Sequence, residues 1–275
     1  MNHLLIITAL QSEAEPIIKQ FQLEKKYHSE KLFYFQREGI TCLTTGVGEK
    51  NVRKRLGVFL QGLDCSNTIL INIGIAGGKK DSSIIGTMYL INKITSDKSG
   101  KVWLPDILLK NGISEQQLTT VEKGVMDGGK KYKGLVDMEA AAIFEIAVQF
   151  IPTHCLVFLK IVSDYMDEVL DSSEHVLPIM KNNLSKFDSI ITLMQNSELV
   201  RTPLLNGQNK RLLTDLNNIL KLTETQKHQL KNKIECYIAI KNDDISFLSN
   251  YLHVEINSKQ ERSKIFYEIC TKLSS

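Results

Sequence analysis

The sequence predicts a layered α/β domain followed by a small α-helical module, and three observations carry that expectation. Short apolar runs of strand length alternate with helical segments over roughly the first 195 residues. Glycine-rich stretches follow two of those runs, and glycine disappears after Gly207. From about residue 198 the composition shifts to Asn, Lys, Leu and Gln in helical patterns. The expected domains are therefore 1–198 and 203–275, joined near Arg201-Thr202-Pro203.

Leu4 to Ala9 is a continuous apolar run, the pattern of a strand buried on both faces. Ser12-Glu13-Ala14-Glu15 opens a helix through Gln20. Leu32 to Gln36 and Ile40 to Thr45 flank Arg37-Glu38-Gly39, which reads as a hairpin turn. After Gly46-Val47-Gly48, a helix is expected from Glu49 to Leu63, and then a buried strand from Thr68 to Ile73 ending in Gly74-Ile75-Ala76-Gly77-Gly78. Ile85 to Ile94 is rich in β-branched residues and reads as a longer strand, with a short one at Val102 to Leu104. Asp106 to Gly134 has no legible period. Asp137 to Phe150 reads as a buried helix stopped by Pro152, Cys155 to Val162 as a buried strand, and Asp171 to Leu193 as a helix in which Pro178 is a candidate break point. Helical patterns then cover Lys210–Leu220, Glu224–Ile240, Ile245–Tyr251 and Lys259–Leu273, and Thr223 to Gln226 fits a capping box.

Bulk properties exclude several classes. A content of 43% hydrophobic and 24% charged residues is that of a globular chain. The formal charge of +3 is spread among interleaved acids and bases, so nucleic acid is not an expected partner; Arg53-Lys54-Arg55 and Lys130-Lys131-Tyr132-Lys133 read as solvated surface. Five cysteines, widely spaced and never in a CxxC pair, fit neither a zinc site nor a disulfide framework. No run approaches the roughly 20 apolar residues of a membrane span, and the N-terminus has no basic n-region, so a cytoplasmic location is expected.

Chemistry is concentrated in a few carboxylates. Glu139, in Val136-Asp137-Met138-Glu139, and Asp164, in Val162-Ser163-Asp164, sit at the edges of elements that are otherwise apolar. Such groups are costly to bury unless paired or used. Each has an ordinary alternative. Glu13 and Glu139 alone fit first-turn helix acids, Asp164 a cap or turn residue, Met138 a core residue, and the glycine clusters strand-to-helix turns that match neither GxGxxG nor Walker spacing. His154 and His175 lack metal-ligand spacing and read as boundary residues, so no metal is expected; Tyr165 and Asp167 read as loop.

Taken in order, Ala9-Leu10-Gln11-Ser12-Glu13, Thr45-Gly46-Val47-Gly48, Asn72 to Gly78, Val136 to Glu139 and Val162-Ser163-Asp164 resemble the purine nucleoside phosphorylase and nucleosidase superfamily over about residues 3–195. The closest resemblance is to its methylthioadenosine/S-adenosylhomocysteine nucleosidase branch. It implies a three-layer αβα sandwich around a mixed central sheet, a homodimer, no cofactor, and hydrolysis of the N-glycosidic bond of an adenine nucleoside or 5′-substituted adenosine. On that resemblance Asp164 is the general acid at the base, Glu13 orients and deprotonates water, Glu139 binds the ribose hydroxyls and Met138 packs on the sugar. Gly46, Gly48, Ala76, Gly77 and Ser163 complete the substrate-binding set.

The span from Gly78 to Asp137 is shorter than in that branch and normally supplies an aromatic stacker for the base. Leu118 to Lys123 followed by Leu135 to Glu139 is similar to a compact branch associated with hopanoid synthesis, which acts on an adenosyl-lipid. No arginine lies between Arg55 and Arg201, which favours water over phosphate as nucleophile, although Arg37, Arg53, Lys79 and Lys80 keep phosphorolysis open. A nucleoside-binding sensor without turnover is the third reading.

Overall fold

The computed structural model describes residues 2–29, 32–107, 112–167, 172–197, 205, 207–241, 244–254 and 258–273. The chain divides into two compact units, 1–200 and 201–275. The expected linker at Arg201-Thr202-Pro203 lies outside the described residues.

Among the described residues the first unit is built on a ten-stranded mixed sheet. Its apolar centre is β1 (His3–Thr8), parallel to both β4 (Ile40–Thr44) and β5 (Thr68–Gly77), with β10 (Leu156–Asp164) parallel on the far side of β5. Leu4 to Ile7, Ile69 to Ile71 and Phe158, Leu159 and Ile161 are almost wholly buried, which explains the continuous apolar runs. Next to β4 come β3 (Leu32–Arg37) and β2 (Glu24–Ser29), joined as antiparallel neighbours. On the other side β10 pairs antiparallel with β6 (Met88–Ser96), which carries β7 (Val102–Trp103) and β8 (Glu115–Thr120). Then β9 (Leu135–Asp137) pairs with both β8 and β5, closing that half of the sheet into a ring.

Helices α1 (Gln11–Gln20) and α4 (Ser173–Gln195) pack together, as do α2 (Glu49–Gln61) and α3 (Ala140–Ala147), flanking the sheet in the expected αβα arrangement.

Several expectations need correcting. Strand β5 does not stop at Ile73 but runs through the glycine cluster to Gly77, because β10 pairs with it in register as far as Val162 and, past a bulge, at Asp164. The expected helix at Asp137 starts later, at Ala140, since Asp137 closes β9 by pairing with Thr120. Pro178 does not break α4; the helix continues because Val176, Met180, Phe187, Ile190 and Met194 bury one face along its length. Strand β6 covers Met88–Ser96 rather than 85–94, leaving Ile84 and Ile85 exposed in the preceding turn.

The second unit contains α5 (Gly207–Ile219), α6 (Glu224–Lys241), a 3₁₀ segment at Ser246–His253 in place of the expected α-helix, and α7 (Lys259–Lys272). They enclose their own core, including Leu216, Leu230, Ile234, Leu248 and Ile269. The expected capping box is formed. Gln226 N–H donates to Thr223 Oγ1 at 3.3 Å, and Gln226 Oε1 accepts from Thr223 N–H at 3.1 Å.

Candidate active site

A cavity of about 180 Å³ opens at the carboxyl ends of β1, β5 and β10, where parallel strands of an α/β sheet commonly leave room for ligands. Glu13, Ala76, Gly77, Met138, Glu139, Ser163 and Asp164 all line it, so residues distant in the chain meet in one place. Gly46 and Gly48 do not line it themselves but flank Val47, which does.

Glu13 is 2% exposed in the first turn of α1. Its Oε2 accepts N–H bonds from Ala9 at 2.8 Å and Leu10 at 2.9 Å, and Oε1 accepts from Ile75 at 2.8 Å. This is half of a capping box, because Leu10 has no side-chain acceptor to offer in return. A carboxylate has about four acceptor sites, so three backbone bonds leave one, on Oε1. Gly74 makes the fit possible: a Cβ there would stand 2.6 Å from Glu13 Oε1. Burial raises the Glu13 pKa, opposed by those backbone bonds and by the Lys160 charge.

Glu139 is the N-cap residue of α3, and its Oε1 accepts the Gly48 N–H at 2.7 Å. The glycine therefore enters the site by orienting Glu139. Burial, and next the charge of Asp137, push the Glu139 pKa up to about 7, against the pull of Lys160. Asp137 itself is 5% exposed and held by Thr120 Oγ1 at 2.7 Å, the Ala140 N–H at 2.9 Å and Lys160 Nζ at 2.9 Å.

The Lys160–Asp137 pair is a site feature that the sequence reading missed. A signal existed: Lys160 interrupts the apolar run Leu156 to Val162, and a lysine buried to 2% requires a counter-ion. Burial works to lower its pKa, but Asp137, Glu139 and Glu13 together hold it above the ordinary lysine value. One fixed cation thus stands behind three carboxylates.

Asp164 ends β10 beyond a bulge, where Val162 pairs with Ala76 and Asp164 with Gly77, leaving Ser163 as the extra residue. Bulges re-aim side chains, and here both Ser163 and Asp164 reach the cavity. Asp164 Oδ1 accepts the Met166 N–H at 2.7 Å, and Ser163 Oγ lies 2.6 Å from Oδ2.

The remaining wall is apolar, with Leu10, Val121, Val125, Met126 and Met166 on it, and no aromatic residue among the described lining. Outside the cavity, His175 bonds Ser172 Oγ at 2.6 Å, Tyr165 donates to Ser83 O at 3.5 Å, and Asp167 pairs with Lys80 at 3.3 Å. His154 lies in a short 3₁₀ turn before β10. Among the described residues no His, Cys, Asp and Glu group has the geometry to hold a metal ion, and no helix is long and apolar enough to cross a membrane.

No protein-family model matches this chain, and no curated protein does. Solved structures do. The apo form of a 5′-methylthioadenosine nucleosidase from Arabidopsis thaliana is 20% identical, with 72% of this chain and 98% of that one covered at a TM-score of 0.60. A 5′-methylthioadenosine/S-adenosylhomocysteine nucleosidase from Neisseria meningitidis, in complex with methylthio-immucillin-A, is 18% identical over 70% and 100% of the two chains, TM-score 0.58. A futalosine hydrolase mutant from Helicobacter pylori is 13% identical over 70% and 100%, also at 0.58. The chain shares their fold, the one implied by the ordered motifs.

Proposed function

We propose that the first unit hydrolyses the N-glycosidic bond of a purine nucleoside, with an adenine nucleoside or 5′-substituted adenosine as substrate. The observation that carries this reading is the convergence of Glu13, Glu139 and Asp164 on one cavity of about 180 Å³. The nucleosidases of like fold support it.

Breaking a ribosyl C–N bond builds positive charge on the sugar and negative charge on the departing base. Asp164 serves as the general acid that protonates the base, steadied by Ser163 Oγ and the Met166 N–H. Glu13 uses its remaining acceptor site to orient and deprotonate water. Glu139 accepts hydrogen bonds from the ribose hydroxyls, with Met138 against the sugar. Lys160 and Asp137 form the charged floor that keeps two carboxylates tolerable in a buried place.

Water is favoured over phosphate as nucleophile because no arginine or lysine is among the described lining residues, and Lys160 is held by Asp137. A phosphate dianion would meet Glu13 instead. The apolar wall suits a compact hydrophobic 5′-substituent. A homodimer is part of the proposal and is tested by light scattering.

The test is incubation of the full chain with methylthioadenosine, S-adenosylhomocysteine, adenosine and inosine, with and without phosphate, followed by assay for free base. Phosphate-independent release of adenine is expected. Release that requires phosphate would replace hydrolysis by phosphorolysis, and binding without release would leave a sensor.

A further inference from the structure

Met166 is a bulky residue in the left-handed backbone region, at φ +60°, and only 2% exposed. Such a conformation is strained for a side chain with a Cβ, so the surroundings must hold it there. They do so from three sides. Its N–H donates to Asp164 Oδ1 at 2.7 Å, and its carbonyl accepts the Gly128 N–H at 2.9 Å. The thioether lies in a slot that two glycines leave open. A Cβ on Gly77 would stand 2.6 Å from Met166 Cγ, and one on Gly129 would overlap its Cε and Sδ.

That slot joins two parts of the site. Gly77 ends β5 beside Asp164, while Gly129 belongs to the segment 121–134, whose Val121, Gly124, Val125 and Met126 form the apolar cavity wall. Met166 packs with Val121, Tyr132 and Val136 in an apolar cluster separate from the main core. Elsewhere the segment is tied down by Lys79 Nζ to Tyr132 O at 2.9 Å and by the Lys131–Asp97 pair at 3.0 Å.

We propose that Met166 is a positioning residue, keyed between Gly77 and Gly129 so that one side chain sets both the orientation of the Asp164 carboxylate and the place of the 121–134 wall. This rests on the reading of Asp164 as the acid. The strained backbone holds the N–H on Oδ1, and the thioether keeps the wall against it. A group of similar length and shape preserves the arrangement, whereas shortening it uncouples wall from acid.

The experiment compares Met166→Leu, Met166→Ala and Met166→Gly by steady-state base release and by amide hydrogen exchange of residues 121–134. The Ala and Gly variants are expected to lose about tenfold to a hundredfold in kcat, more than KM changes, since misplacing a reacting group acts on the transition state. Leu is expected to restore kcat to within about threefold. Exchange at Gly128 and its neighbours should rise in the Ala and Gly variants and stay near wild type with Leu. A Gly variant as active as wild type would show that the backbone conformation suffices without the side chain and would overturn the proposal, as would a loss confined to KM. Should wild type release no base, the function reading fails by itself; the keyed slot is then judged by exchange, and unchanged protection in Met166→Ala would overturn it.

Discussion

The two ends of one sheet bury polar groups in opposite ways. At the amino ends of β1 and β5, the His3 ring lies between hydroxyls, with Nε2 2.9 Å from Thr41 Oγ1 and Nδ1 3.3 Å from Thr68 Oγ1. Burial lowers the His3 pKa, and with both ring nitrogens facing hydroxyls the cluster closes on itself. At the carboxyl ends, Glu13, Asp137, Glu139 and Lys160 are buried more deeply than the half-buried His3, yet Glu13 retains acceptor capacity and both glutamates border a cavity. Buried polarity alone therefore marks structure; buried polarity with an unspent valence facing open space marks a site.

Substitutions at the cavity end should reach turnover, and those at the other end should not. The largest effect is expected from Asp164→Asn, a loss of about 10²- to 10⁴-fold in kcat with little change in substrate affinity, read by base-release kinetics against ligand titration. Comparable losses in both terms would remove the acid role. Glu13→Gln should cost about 10²-fold or more in kcat and also lower Tm, because an amide NH₂ must then face at least one of the three backbone N–H groups that the carboxylate now satisfies.

Lys160→Met tests the charged floor. It leaves Asp137 uncompensated and should destabilise the first unit by about 3 to 5 kcal/mol in denaturant unfolding, while Lys160→Met combined with Asp137→Asn should be less than additive. The pH dependence of stability should have opposite signs at the two ends. Glu139, raised from 4.5 to about 7, contributes fully below about pH 4.5 and loses that contribution as pH rises through about 7. His3, lowered from 6.5, contributes fully above that value and loses it as pH falls below. Unfolding titrations of Glu139→Gln and His3→Gln should each flatten one limb. The smallest effect belongs to Thr68→Val, about 1 kcal/mol of stability with unchanged kcat, because it removes one neutral hydrogen bond far from the cavity.

Much of this arrangement was legible in the sequence. The buried strands announce themselves as apolar runs because both faces are covered, and Glu13, Glu139 and Asp164 stand out against them. Strand β2 was not legible, because Glu24 to Ser29 is exposed throughout and pairs with β3 on one edge, so no alternation marks it. Strands β8 and β9 were missed because the first is largely polar and the second three residues long; their pairing across the sheet, not local propensity, makes them strands. The Ser163 bulge and the φ of Met166 are set by what β5 and the 121–134 segment leave open, which no local pattern encodes.

The most direct test is a turnover of methylthioadenosine by the full chain in ¹⁸O-labelled water without phosphate. Free adenine with the label on the sugar product, slowed by about 10²-fold or more in Asp164→Asn and Glu13→Gln, is expected if the carboxylates act together on one glycosidic bond. No adenine from wild type under any condition, or release from both variants equal to that of wild type, would contradict it.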